Sequence, residues 1–259
     1  RFGDSHAFTA LHIPNDGSTD PDDSFSSVPY EKGAALMEHL ERLVGGPQVF
    51  EPFVRRYVDK FKFGVVDAAA FRRFFNDSFP HKMSADEWDT WLLKPGMPPP
   101  APPGYHDTIL VDMAEAAATE WAASNARAAP RIVTPGWGCD QIIVLLEKLA
   151  LIQDTQASPL AADVLDGVVD YFSLRKTGNA ELKLRYYTLF LKAGREDVFD
   201  GVVAFVEAYG RMKYLRPCYR ALDKCSARGH ALALSTFQRL RGTYHPIAAK
   251  MVAKDLGVA

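Results

Sequence analysis

Apolar side chains recur at helical spacing along nearly the whole chain, and no stretch alternates apolar with polar residues convincingly enough to read as a strand. The first helix is expected to open at Pro29, whose preset φ and missing N–H suit a first turn. Ala34, Ala35, Leu36, Leu40, Leu43 and Val44 continue it until Gly45-Gly46 stops it. A second helix runs from Pro47 to about Phe61 on Phe50, Phe53, Val54, Tyr57, Val58 and Phe61. Asp67 is placed to cap a third, which bears Phe71, Phe74, Phe75 and Phe79. Ser84 and Glu87 have capping-box spacing and open a short helix with Trp88, Trp91 and Leu92. Residues 1–24, rich in turn formers (Pro14 to Ser18, then Pro21), read as a loop.

From Lys94 to Gly104, six prolines in eleven residues can continue neither a helix nor a ladder. This is the expected boundary: a first domain over 1–93, a linker over 94–104 and a second domain over 105–259. A plain linker is a better account of the prolines than a ligand for an SH3-type partner. Beyond it, helices are predicted over 107–125, 140–152, 159–173, 180–193, 196–209, 217–226, 229–241 and 246–255. Asp140, Ser158 and Asn179 are the expected N-caps; Gly194 and Gly210 are the expected stops. Short amphipathic helices joined by short turns suggest stacked pairs in a solenoid-like array, although no strict sequence period marks the repeats. The fold class is all-α.

The chain's 259 residues allow one large domain or two ordinary ones. With 47% hydrophobic and 24% charged residues it has a globular composition. A net charge of −2 gives no general reason to expect nucleic acid or a membrane as partner. No run is apolar enough to span a bilayer and no signal peptide is visible, though the chain opens at Arg1 and reads as a fragment or processed product. Cys139, Cys218 and Cys225, an odd number without C-x-x-C spacing, suggest reduced thiols and a cytoplasmic location.

Tyr30 falls at a predicted helix start, where a phenol can project from the end and donate a hydrogen bond to an oxygen gaining negative charge. An aromatic that merely staples the preceding loop fits the same position. Arg211 and Lys213 follow Gly210, a break at which both could converge on one anion; equally, cations near a helix C-terminus meet its dipole. Arg216, Arg220, Lys224 and Arg228 extend a basic run that reads as a solvated face. Glu31 and Lys32 read as ordinary first-turn residues. None of the seven histidines is four residues from another and no H-E-x-x-H occurs, so a metalloprotease zinc site is not expected from this chain.

Ser-Ser-Val-Pro-Tyr-Glu-Lys-Gly (26–33) resembles the segment that carries the proton-donating tyrosine of the gluzincin zinc aminopeptidases, in particular the leukotriene-A hydrolase and aminopeptidase B branch. The likeness extends through 2–9, 91–99, 210–217 and 245–256, and is weakest from about 115 to 205. It implies the helical end of a thermolysin-like catalytic domain followed by an α-helical superhelix of armadillo or HEAT type. It implies further that Tyr30 stabilises the tetrahedral intermediate and that Arg211 and Lys213 hold the free carboxylate of a short peptide, or of a lipid acid in epoxide-hydrolysing members. Asp22 occupies a position that lines the family's substrate pocket; a loop acid or cap explains it as well. Phe25 stands where relatives place a tyrosine, which puts epoxide chemistry in doubt.

The expectation is thus a part of a cytoplasmic, monomeric zinc aminopeptidase. Zinc belongs to the full-length protein, its ligands lie upstream of Arg1, and no residue of this chain binds it. The partners expected are a short peptide and the missing N-terminal half, with neither nucleic acid nor membrane. By itself the chain would be inactive. A non-enzymatic helical scaffold for protein–protein interaction explains the helices equally well, but not the order of the matched segments.

Overall fold

A computed structural model of the protein describes residues 3–13, 17, 20–123, 136–156 and 158–258, the side chains of residues 21 and 22 excepted. It is all-α, with no strand among the described residues. The chain divides into two compact units, Arg1–His106 and Asp107–Ala259.

The first unit holds a 3₁₀ turn at Ala7–Thr9 and helices α1 (Pro21–Ser24), α2 (Val28–Val44), α3 (Pro47–Phe61), α4 (Ala68–Ser78) and α5 (Ala85–Leu92). The two short elements fall within the stretch that reads as loop in the sequence; of its turn-forming run 14–18, all but residue 17 lie outside the described residues. Along α2 the buried positions are Lys32, Leu36, Leu40 and Val44, one stripe at four-residue steps. Gly45 and Gly46 end it at φ +110° and +101°, a left-handed path that costs glycine nothing. Asp67 caps α4 by accepting from the Ala70 N–H, and Ser84 with Glu87 forms the full capping box of α5.

The core is aromatic. Phe53 is almost fully buried, with the rings of Phe50, Phe74, Phe75 and Phe79 at 5.3–5.5 Å from its own. Trp88 has no exposed surface and donates its indole N–H to Asn76 Oδ1 at 3.0 Å.

The second unit comprises α6 (Ile109–Ala123), α7 (Cys139–Thr155), α8 (Ala162–Tyr171), α9 (Ala180–Lys192), α10 (Phe199–Ala208), α11 (Met212–Cys225), α12 (Ala227–Leu240) and α13 (Pro246–Leu256). Neighbours pack in succession: α6 on α7, α7 on α9, α9 on α11, and α11 on both α12 and α13. One continuous core runs through them, as the stacked-helix expectation requires. Residues 124 and 125, the predicted end of α6, lie outside the described residues.

Three local expectations are corrected. Helix α7 starts one residue before Asp140, with Gly138 as cap, so Asp140 lies in the first turn and its carboxylate meets the positive end of the helix. Helix α8 is capped by Ala161 and begins at Ala162, past Ser158. Helix α11 begins at Met212, not Pro217. Pro217 forfeits one backbone bond in the second turn, and the helix persists because Tyr214, Leu215, Cys218, Tyr219 and Leu222 are buried on its inner face.

The basic run is not simply a solvated face. Arg216 is 7% exposed and grips Asp255 of α13 with two bonds, Nε at 2.6 Å and Nη2 at 2.7 Å; Arg220 adds a third at 2.6 Å. Burial pushes the Asp255 carboxyl up, but the two guanidinium groups outweigh it and hold the pKa below the usual range. Asp255→Ala leaves the Arg216 guanidinium buried and uncompensated. It should destabilise the second unit by about 3–5 kcal/mol, read as a lowered urea midpoint at unchanged m-value.

Candidate substrate site

Tyr30 stands in the first turn of α2, whose N-cap is Ser27. Ser27 makes no side-chain cap; the N–H groups of Tyr30 and Glu31 both donate to its carbonyl at 3.0 Å. Pro29 removes one donor that would otherwise need a partner. The Tyr30 side chain is 71% exposed and projects from the helix start, so it is not a packed staple. Phe25, between α1 and α2, is 58% exposed. Asp22 belongs to α1, and its side chain lies outside the described residues.

Lys32, two positions after Tyr30, is no ordinary first-turn residue. It is 3% exposed, and its ammonium donates to three carbonyls: Thr9 at 3.2 Å, Lys94 at 2.8 Å and Gly96 at 3.1 Å. Three N–H bonds exhaust what an ammonium can donate. Burial lowers its pKa from the usual lysine value. The surrounding cage is itself tied together. The Gly96 N–H donates to Thr9 Oγ1 at 2.7 Å, and the Thr9 hydroxyl donates to the His6 carbonyl at 2.6 Å. Gly96 has φ +100°, and a β-carbon there would come 3.1 Å from the Asp4 carbonyl oxygen.

Arg211 and Lys213 flank the start of α11, Arg211 as its N-cap residue. The two cations differ in what they meet. Lys213 Nζ lies 2.6 Å from Glu181 Oε1, and Tyr214 donates to the same oxygen at 2.7 Å. Arg185 donates to the other oxygen, Oε2, at 2.7 Å. Arg211 lies with its Cζ 5.9 Å from the Tyr214 ring centroid, and no carboxylate among the described residues pairs with it. Arg211 therefore offers positive charge to an anion.

The described residues contain no group of three or more His, Cys, Asp or Glu that could hold a metal ion. By themselves they do not make up the zinc site of a metallopeptidase. None of their helices is long and apolar enough to cross a membrane.

Comparison with known proteins defines the class. Residues 4–91 match the model described as the peptidase family M1 domain. Residues 137–256 match the family described as leukotriene A4 hydrolase, C-terminal. It is 38% identical over 264 residues to a leucine aminopeptidase 2 of Ajellomyces capsulatus, covering 99% of this chain and 40% of that protein. A leucine aminopeptidase 2 of Aspergillus terreus is also 38% identical, with 98% and 41% covered. Among solved structures, yeast leukotriene A4 hydrolase in complex with bestatin superposes with a TM-score of 0.82 at 29% identity, covering 98% of this chain and 43% of that one. The chain spans about two fifths of the length of the relatives it matches, and corresponds to their C-terminal part.

Two residues escaped the sequence reading: Lys32 and Glu181. Lys32 begins the four-residue stripe of α2, the one signal that could have exposed it. Nothing local marks Glu181 as the partner of a lysine more than thirty positions away. Burial raises the Glu181 pKa, but the bonds from Lys213, Tyr214 and Arg185 prevail and bring it from 4.5 to about 2. A carboxylate depressed in this way contributes stability above its unfolded pKa and loses it as pH falls through the folded value. Glu181→Gln should therefore flatten the acid limb of the second unit's stability between pH 4.5 and 2, measured by urea unfolding across that window.

Proposed function

We propose that residues 1–259 supply an oxyanion donor, Tyr30, and a carboxylate-gripping cation, Arg211, to an enzyme cleaving the N-terminal peptide bond of short peptides. The metal of that enzyme is held by sequence outside these residues, so the chain alone is inactive. The supporting observation is Tyr30: an exposed phenol on an anchored helix start, inside the Pro-Tyr-Glu-Lys-Gly segment by which the chain resembles the M1 enzymes. When water adds to the scissile carbonyl, its oxygen gains negative charge, and Tyr30 O–H donates to it. A donor fixed before the reaction needs no reorganisation during it.

Arg211 grips the substrate's free carboxylate, with the N-terminus of α11 behind it. Holding that carboxylate adds positioning to binding. Lys213 contributes less, because Glu181 already neutralises it. Three free thiols fit a reducing compartment, and a monomer with no nucleic acid or membrane partner completes the reading.

In the full-length enzyme, Tyr30→Phe should lower kcat by about 10²–10³ while KM stays within about twofold. A near-normal kcat removes Tyr30 from the mechanism. Arg211→Ala should raise KM for a tripeptide by roughly 10- to 100-fold, as the loss of a charged hydrogen bond predicts. It should leave an amino-acid anilide, which has no carboxylate, nearly unaffected. Lys213→Ala should have the smaller effect on the tripeptide, and the reverse order overturns the division of labour.

A further inference from the structure

At the start of α2 the Val28 N–H donates to the Ser26 hydroxyl at 3.3 Å, but the cap position itself makes no side-chain bond. Ser27 offers no side-chain cap, and its own backbone is already helical at φ −79° and ψ −9°. The first buried apolar residue of α2 is Leu36, six positions beyond Tyr30. Between the two, only Lys32 is buried. The Lys32 ammonium ties this part of the helix to distant stretches of the unit, through the carbonyls of Thr9, Lys94 and Gly96. No carboxylate among the described residues pairs with it, so the charge is neutralised by backbone dipoles alone, which have fixed directions. The Thr9–Gly96 bond and the left-handed Gly96 hold two of those carbonyls in place.

We propose that Lys32 is a positioning residue for Tyr30: by anchoring the first turn of α2 in this three-carbonyl cage, it sets where the exposed phenol stands without touching it. The proposal rests on the reading of Tyr30 as the oxyanion donor. A phenol left exposed by its neighbours can be held only through its own backbone. In α2 that backbone is joined to the rest of the unit, at the level of Tyr30, through Lys32. An apolar side chain of similar length could fill the space, but it would leave the buried Thr9 carbonyl and the part-buried carbonyls of Lys94 and Gly96 without this donor. Arginine, with a planar fork of five donors, does not match a cage built for three converging bonds.

The test has two readouts. Amide hydrogen exchange of the 259-residue chain is compared for wild type, Lys32→Met and Thr9→Val. Lys32→Met should speed exchange across residues 28–33 and at Gly96 by about tenfold or more, while α3 and α4 keep their protection. Thr9→Val, which removes only the Thr9–Gly96 brace, should loosen the same segments by less. Uniform loosening of the whole first unit by both variants, or no change in 28–33, overturns the anchoring.

The second readout is kcat in the full-length enzyme, for Lys32→Met in the wild-type and Tyr30→Phe backgrounds. An effect transmitted through the phenol should cost about tenfold in kcat when Tyr30 is present and less than twofold when it is absent. Lys32→Arg should recover little of the loss. Equal losses in both backgrounds mean that Lys32 does not act through Tyr30, and overturn the proposal. If Tyr30→Phe alone leaves kcat intact, the functional reading of Tyr30 falls, whatever the exchange data show about the anchor.

Discussion

Much of the first unit is arranged around one ammonium group. Lys32 joins three stretches far apart in sequence: the 3₁₀ turn ending at Thr9, the start of α2, and the Lys94–Gly96 strap beyond α5. Burying a charge is costly, and it is tolerated here because every ammonium proton finds an acceptor and each bond is charge-assisted. The same fact changes the meaning of the proline-rich segment. Its first residues belong structurally to the first unit, and its far end folds back as well, with Tyr105 under the Arg42 guanidinium at 5.0 Å. A segment that reads as a spacer thus closes the unit it follows.

In the second unit, charge is allocated rather than pooled. Six cations lie between positions 211 and 228, and the helices packed around them decide what each can do. Arg216 is buried and engaged with Asp255; Arg220 shares that carboxylate. Arg228 meets Glu196, and Lys213 meets Glu181. Arg211, at the very start of α11, keeps a guanidinium that no described carboxylate neutralises. A bidentate group in that condition can meet the carboxylate of an incoming molecule without first breaking a bond at home.

The helices were largely legible because their signals are local. Periodicity marked them, and caps were read correctly where the capping side chain reaches its own helix: Asp67, Ser84 with Glu87, and Asn179. Reading failed where the start depends on tertiary support. Gly138 and Ala161 cap α7 and α8 with no side-chain bond, and α11 runs through Pro217 on the strength of its buried face. The roles proposed for Tyr30 and Arg211 come from a resemblance carried by short, ordered motifs, not from periodicity. Lys32 was not legible, since a lysine beside a glutamate in a first turn looks solvated until the carbonyls from positions 9, 94 and 96 are brought to it. Glu181 was hidden for the same reason: its partners on α11 come from beyond α10.

The contrast with other tyrosines of the chain shows why an exposed phenol demands a buried anchor. Tyr219 and Tyr244 have hydroxyls in mutual contact at 2.9 Å, and Tyr244 donates to the Val206 carbonyl at 3.0 Å. Burial pushes the pKa of both phenols up, and their hydrogen-bonding capacity is consumed inside the core. Such groups are well fixed and useless to a substrate. A phenol on a loose loop has the opposite fault: it is available but must be ordered at the moment of reaction, which costs entropy. On the proposed reading Tyr30 escapes both, because availability and fixation fall to different side chains of one helical turn. The phenol is exposed and Lys32, two positions on, is buried.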